Sequence, residues 1–155
     1  MKNTTLSTYC QTCHEVELHY VRPLYKQTPC ISCHLDAEKA MRKFINAKRI
    51  DFKEFFWVLF LSNANQLLYI SEVAVGSTAG VGVPLREILQ LALRTNSSAV
   101  IACHNHPSGT LIISENDQRF TKRLTKALKQ IDIRLLDHLI ITSESCISFS
   151  QEGEL

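Results

Sequence analysis

Along the first third of the chain, apolar Val16, Leu18 and Tyr20 alternate with Glu17 and His19, which is the period of a half-buried strand over residues 15–21. Arg22 and Pro23 end it. Ser32 is then placed to cap a helix whose apolar stripe is Leu35, Ala40, Met41, Phe44 and Ile45, with lysines and arginines opposite. EFFWVLFLS (54–62) and QLLYISEVAV (66–75) are β-rich runs joined by Asn63-Ala64-Asn65, a pattern that predicts an antiparallel hairpin.

A loop carrying Gly76, Gly80 and Gly82 leads to Pro84 at a first helical position. Leu85, Ile88, Leu89, Ala92 and Leu93 follow at helical spacing, and this helix should end near Asn96. SAVIAC (98–103) reads as a buried strand that runs straight into two histidines. A helix begins at Ser114, where Ser-x-x-Asp is a capping signature and Phe120, Leu124, Leu128 and Ile131 share one face. Strands over 133–142 and 146–150 close the chain around Ser143-Glu144-Ser145. Strands and helices are interspersed, so the expected fold is α/β, a mixed β-sheet with helices packed on its faces.

Composition leaves that picture intact. With 155 residues, 45% hydrophobic and 21% charged, the chain suits one soluble globular domain with a substantial core. The net charge of +2 is too small to argue by itself for nucleic acid. MKNTTLSTYC lacks the apolar core of a signal peptide, and the apolar run from Phe55 to Leu61 is too short to span a bilayer. No membrane association and a cytoplasmic location are therefore expected. There the six cysteines would be thiols or metal ligands rather than disulfides.

The chemistry concentrates in HNHPSGTLIISEND, residues 104–117. His104 and His106, two apart in an extended segment, project to the same side. Chain reversal at Pro107-Ser108-Gly109 can return Asp117, in the first turn of the next helix, to the same point. Two imidazoles and a carboxylate are the ligand set of a catalytic zinc, which keeps a position open for water. Glu72, a carboxylate inside a strand-like run, is costly to bury unless it is paired or working, and is the candidate base. Ser114 is the candidate donor to an oxyanion. Taken singly, Ser-x-x-Asp is only a cap and His-x-His only a solvated pair; together with Glu72 they assign every role of a hydrolase.

Glu72, then His104-x-His106, then seven residues and Ser114-x-x-Asp117 resemble the JAMM (MPN+) zinc metallohydrolase motif in its RadC-like bacterial branch. SEVAVGSTAGVGVPLREILQLAL, HNHPSG, LLDHLIITSE and FSQEG resemble further segments of that branch, over roughly residues 51–155. The resemblance implies a cytidine-deaminase-like JAB/MPN domain, expected over 15–155 after a 1–14 extension. It implies zinc on His104, His106 and Asp117, Glu72 as base on the zinc-bound water, Ser114 supporting the oxyanion, and a peptide or isopeptide amide as substrate. Longer members carry a helix-hairpin-helix DNA-binding half with no counterpart in this sequence, so the family's historical name does not by itself imply a DNA-repair role here. Asp137-His138 lies in a matching strand and reads as a structural pair, with a hydrogen bond to a metal ligand as the alternative. Ile113 and Cys103 stand where such proteins commonly carry proline and alanine.

Cys10-x-x-Cys13 and Cys30-x-x-Cys33, sixteen residues apart, fit the spacing of a second, structural zinc site. Against this, Cys30 and Cys33 fall at the start of the first helix of the enzyme domain. The four cysteines also support an alternative function, a zinc-stabilised nucleic-acid-binding module. Its basic helices would be Lys39, Arg42, Lys43, Lys48 and Arg49, and Arg119, Lys122, Arg123, Lys126 and Lys129. Such charges are also an ordinary solvated face opposite an apolar stripe. Neither substrate nor oligomeric state is encoded in these motifs.

Overall fold

The computed structural model describes residues 21, 28–76 and 82–155. In chain order its elements are α1 (His34–Phe44), β1 (Phe55–Leu61), β2 (Leu67–Val75), α2 (Leu85–Arg94), β3 (Ala99–Asn105), α3 (Glu115–Lys129), β4 (Arg134–Ile141) and β5 (Cys146–Ser148). The strands form one mixed sheet in the order β2-β1-β3-β4-β5. β1 pairs antiparallel with both β2 and β3, β3 pairs parallel with β4 through α3, and β5 returns antiparallel along β4. This is the expected α/β layering.

The unbroken apolar runs of β1 and β3 follow from burial on both faces, since each residue of both strands is buried. On one face Phe55, Trp57, Leu59, Ile101 and Cys103 pack against Ala37 and Met41 of α1. On the other, Phe56, Val58, Phe60, Val100 and Ala102 pack against Ile88 and Ala92 of α2 and Leu124 and Leu128 of α3. The parity of a residue along β1 or β3 thus decides which helical layer it meets.

The local departures are at α1. Cys33, not Ser32, occupies its N-cap and makes no side-chain cap bond, while the Ser32 amide donates to Asp36 Oδ2 at 2.9 Å. The buried face of α1 is Ala37 and Met41, whereas Leu35 and Phe44, assigned to the stripe, are 59% and 47% exposed. Of the strand expected over residues 15–21 only Val21 is described, and it is exposed outside any element. The middle of the glycine loop, 77–81, lies outside the described residues. Among those described, no helix is long and apolar enough to cross a membrane.

Candidate metal centre and active site

β3 is the strand at which the sheet changes from antiparallel to parallel neighbours, and its C-terminal end opens beside the N-terminus of α3. Open α/β sheets place ligands at such points. A cleft of about 290 Å³ lies there, lined by Glu54, Phe56, His104, His106, Ser114, Asp117 and His138 among others.

His104 ends the buried part of β3 and is 1% exposed. Its ring stacks on Phe56, its partner across β1, with planes 7° apart. His106 follows where the strand turns away, and the two Nε2 atoms lie 3.0 Å apart. The other nitrogen of His106, Nδ1, lies 2.7 Å from the Thr110 carbonyl oxygen. A carbonyl can only accept, so Nδ1 carries the proton and a neutral His106 presents a bare Nε2. Asp117 completes the group, with Oδ1 3.3 Å from His104 Nε2 and Oδ2 3.7 Å from His106 Nε2. One ligand atom from each of the three residues falls within 4.8 Å of the others.

The start of α3 aims that carboxylate. Ser114 is the N-cap of a capping box: its Oγ accepts from the Asp117 amide, and its own amide donates to Asp117 Oδ2 at 2.9 Å. The Ser114 hydroxyl also donates to Oδ2, at 2.6 Å. Oδ2, on the side of His106, is thereby occupied, and Oδ1 is left to face His104. Burial by itself raises the Asp117 carboxyl, but the His104 ring and the Ser114 donors outweigh it and hold the group well below the usual carboxylate range.

Glu72, expected to serve this cleft, is elsewhere. A bulge in the β1–β2 register sets it opposite Trp57, on the α1 face of the sheet. There its carboxylate accepts from both terminal nitrogens of Arg49 at 3.3 Å and from Trp57 Nε1 at 3.3 Å. It is paired at a surface, and it does not line the cleft. Glu54 does. It precedes β1 by one residue and so shares parity with Phe56 and His104. Burial pushes its carboxyl up, the charge of Asp117 adds to the rise, and the two imidazoles pull the other way.

Local sequence does not single out Glu54, because it sits at the lip of a strand rather than inside one. The available signal was parity: an antiparallel β1–β3 pair puts the start of β1 beside His104, and Glu54 is two residues from Phe56. Asp137-His138, read as a structural pair, divides. Asp137 is structural, accepting from the His138 and Ser150 amides and the Ser148 hydroxyl. His138 reaches the site, with Nε2 2.8 Å from His104 Nδ1.

Cys10 and Cys13 lie outside the described residues. Cys30 and Cys33 are exposed free thiols, Cys30 in a single bridge to Gln66. Arg119, Lys122, Arg123, Lys126 and Lys129 are all exposed, opposite the buried Thr121, Leu124 and Leu128 of α3.

The model of the RadC-like JAB domain matches residues 31–154. Among curated relatives, a UPF0758 protein of Flavobacterium johnsoniae is 42% identical over 100 residues, 64% of this chain and 44% of its own length. UPF0758 proteins of Cellvibrio japonicus and Saccharophagus degradans are 40% and 39% identical, over 78% and 77% of this chain and 54% of their own lengths. The chain thus spans about half the length of these relatives.

Proposed function

The chain belongs to the RadC-like JAB-domain family, and from that membership and the geometry of the cleft we propose that it is a JAMM-type zinc hydrolase of peptide or isopeptide amides. The observation that carries this reading is the convergence of His104 Nε2, His106 Nε2 and Asp117 Oδ1 on one point. His106 Nε2 and the Asp117 carboxylate are acceptors with no proton of their own, so a positive charge among the three residues satisfies them. Two imidazole nitrogens and one carboxylate oxygen suit zinc, and three protein ligands leave a position open, as catalytic rather than structural sites do.

A zinc ion held by His104, His106 and Asp117 would supply Lewis acidity, which polarises a substrate carbonyl and lowers the pKa of water to about 7. The rest falls to the chain. Glu54 takes the water proton on a carboxylate oxygen and returns it to the departing amine nitrogen; a carboxyl raised by burial is better matched to both transfers than an ordinary one. Asp117 stays ionised because the Ser114 amide and hydroxyl both donate to its Oδ2. Ser114 stands on the cleft wall, and its hydroxyl supports the oxyanion once it turns from Asp117 Oδ2. Phe56 and Phe120, edge to face at 5.1 Å, form an apolar wall beside the imidazoles.

The reading is tested by zinc-dependent release of amine from a panel of peptides and isopeptide-linked peptides. Hydrolysis should disappear on chelation, return with zinc, and be absent in His106→Ala. Hydrolysis that persists in His106→Ala would contradict it.

A further inference from the structure

Behind the metal ligands runs a chain of hydrogen bonds whose polarity can be read from its far end. Thr121 Oγ1 lies 2.6 Å from the Asp117 carbonyl oxygen, one turn back in α3. It also lies 2.6 Å from His138 Nδ1. His138 Nε2 lies 2.8 Å from His104 Nδ1. A hydroxyl has one proton, and a carbonyl has none to give. At 2.6 Å from that carbonyl, the Thr121 proton must point at it, because two oxygens so close with no proton between them repel.

Thr121 Oγ1 is then an acceptor towards His138, so His138 carries its proton on Nδ1. His138 is buried, and its two ring nitrogens meet Thr121 Oγ1 and His104 Nδ1, neither of which is an anion to pair a buried charge, so the ring is neutral and has one N–H only. Its Nε2 must therefore accept, and the donor is His104 Nδ1–H. The last step leaves Nε2 of a neutral His104 as a lone pair, aimed at Asp117 and His106. Stacking on Phe149 at 4.5 Å, with planes 20° apart, keeps the His138 ring from turning out of this line.

We propose that Thr121 and His138 are positioning residues which, through the Asp117 carbonyl, fix His104 in its Nδ1–H tautomer and so present Nε2 to a divalent cation. Helix α3 thereby acts on the site twice: the Asp117 side chain is a ligand, and the Asp117 carbonyl sets the proton order that prepares another. His106 needs no such relay, since the Thr110 carbonyl fixes it directly. The inference rests on the metal-binding reading of the cleft, and its test separates the two. Partners of this kind typically change metal affinity about tenfold to a hundredfold when removed.

The experiment is long-range ¹H–¹⁵N NMR of histidine-labelled full chain, without metal and with added zinc, together with zinc titration against a competing chelator. The native metal-free protein should show neutral His138 with its proton on Nδ1. Thr121→Val, which replaces the hydroxyl by a methyl of similar shape, should populate the other His138 tautomer and weaken zinc about tenfold to a hundredfold. Thr121→Ser should restore both. A native His138 protonated on Nε2 overturns the relay, even if Thr121→Val does not fold. So does a folded Thr121→Val that binds zinc like the native chain. A native protein that binds no zinc but has His138 protonated on Nδ1 upholds the relay and removes the metal reading instead.

Discussion

Asn105 brackets Glu54. From between the two histidines its side chain reaches across to the segment before β1, where Oδ1 accepts from the Phe55 amide at 2.6 Å and Nδ2 donates to the Lys53 carbonyl at 2.7 Å. Nδ2 also donates to the Ile50 carbonyl. The peptide groups on both sides of Glu54 are thus held by the residue that separates His104 from His106, so that Glu54 and the two histidines share one rigid origin. Asn105 is fully buried, and removing its amide would leave one donor and two acceptors without partners. Asn105→Ala should cost about 2–4 kcal/mol in urea unfolding, at about 1–3 kcal/mol per stranded group with partial relief from relaxation. A cost within error of zero would show that the bracket carries no strain-bearing role.

Glu54 and Glu72 give opposite expectations for one substitution. Glu54→Gln keeps shape and hydrogen bonding but cannot take a proton, and should lower amide hydrolysis about 10²–10⁴-fold while zinc stays bound. Glu72→Gln should leave the rate within about twofold. Its effect is on stability, about 1 kcal/mol or less, because Arg49 and Glu72 are 48% and 30% exposed and such pairs contribute little. Steady-state rates of both variants on one substrate decide the assignment, and a dead Glu72→Gln with an active Glu54→Gln reverses it.

Ser114 is built into the helix start as well as the cleft. Ser114→Ala should lose the cap, costing about 1 kcal/mol, and should free Asp117 Oδ2 from its hydroxyl donor, while the backbone bond from residue 114 remains. Zinc should still bind, and hydrolysis should fall further than stability does. A rate loss that merely tracks unfolding would reduce Ser114 to a cap.

Four described thiols divide into two classes. Burial pushes Cys103 up, and burial together with the Glu38 charge pushes Cys146 from 9.0 to about 12, so both stay protonated near neutrality. The thiolate is the nucleophile; iodoacetamide at pH 8 should modify exposed Cys30 and Cys33 well before either. A thiol whose pKa is higher folded than unfolded favours folding while protonated. That contribution is complete below the unfolded value and is lost as pH rises through the folded one. Stability should therefore decline from about pH 9 towards 12, and Cys146→Ala should flatten the decline. Equal alkylation of all four thiols in folded protein would contradict the burial account.

Much of this was legible in the sequence because the signals were local. The cap at Ser114, the runs of β1 and β3, and the spacing His104-x-His106 are set by neighbours, and the structure brings His104, His106, Ser114 and Asp117 to one cleft. The carboxylate went astray because its place depends on strand order. Nothing between residues 54 and 104 states that β1 lies between β2 and β3, nor that a bulge at Phe56 and Trp57 turns Glu72 towards the α1 face. The choice between a structural and a site role for His138 is undecided by local sequence for the same reason: its contact with His104 spans β3 and β4, whose parallel pairing is made by α3. Leu35 and Phe44 of α1 fit a helical stripe but are exposed, since α1 crosses the sheet on the narrower face of Ala37 and Met41.

The most direct test of the central claim is zinc per chain after chelation and reloading, measured by mass spectrometry on folded native protein, His104→Ala and Asp117→Ala. The native chain should hold one equivalent that both variants lose, whatever the N-terminal cysteines retain. Native protein with no zinc, or variants with the full native content, would contradict a metal centre at the end of β3.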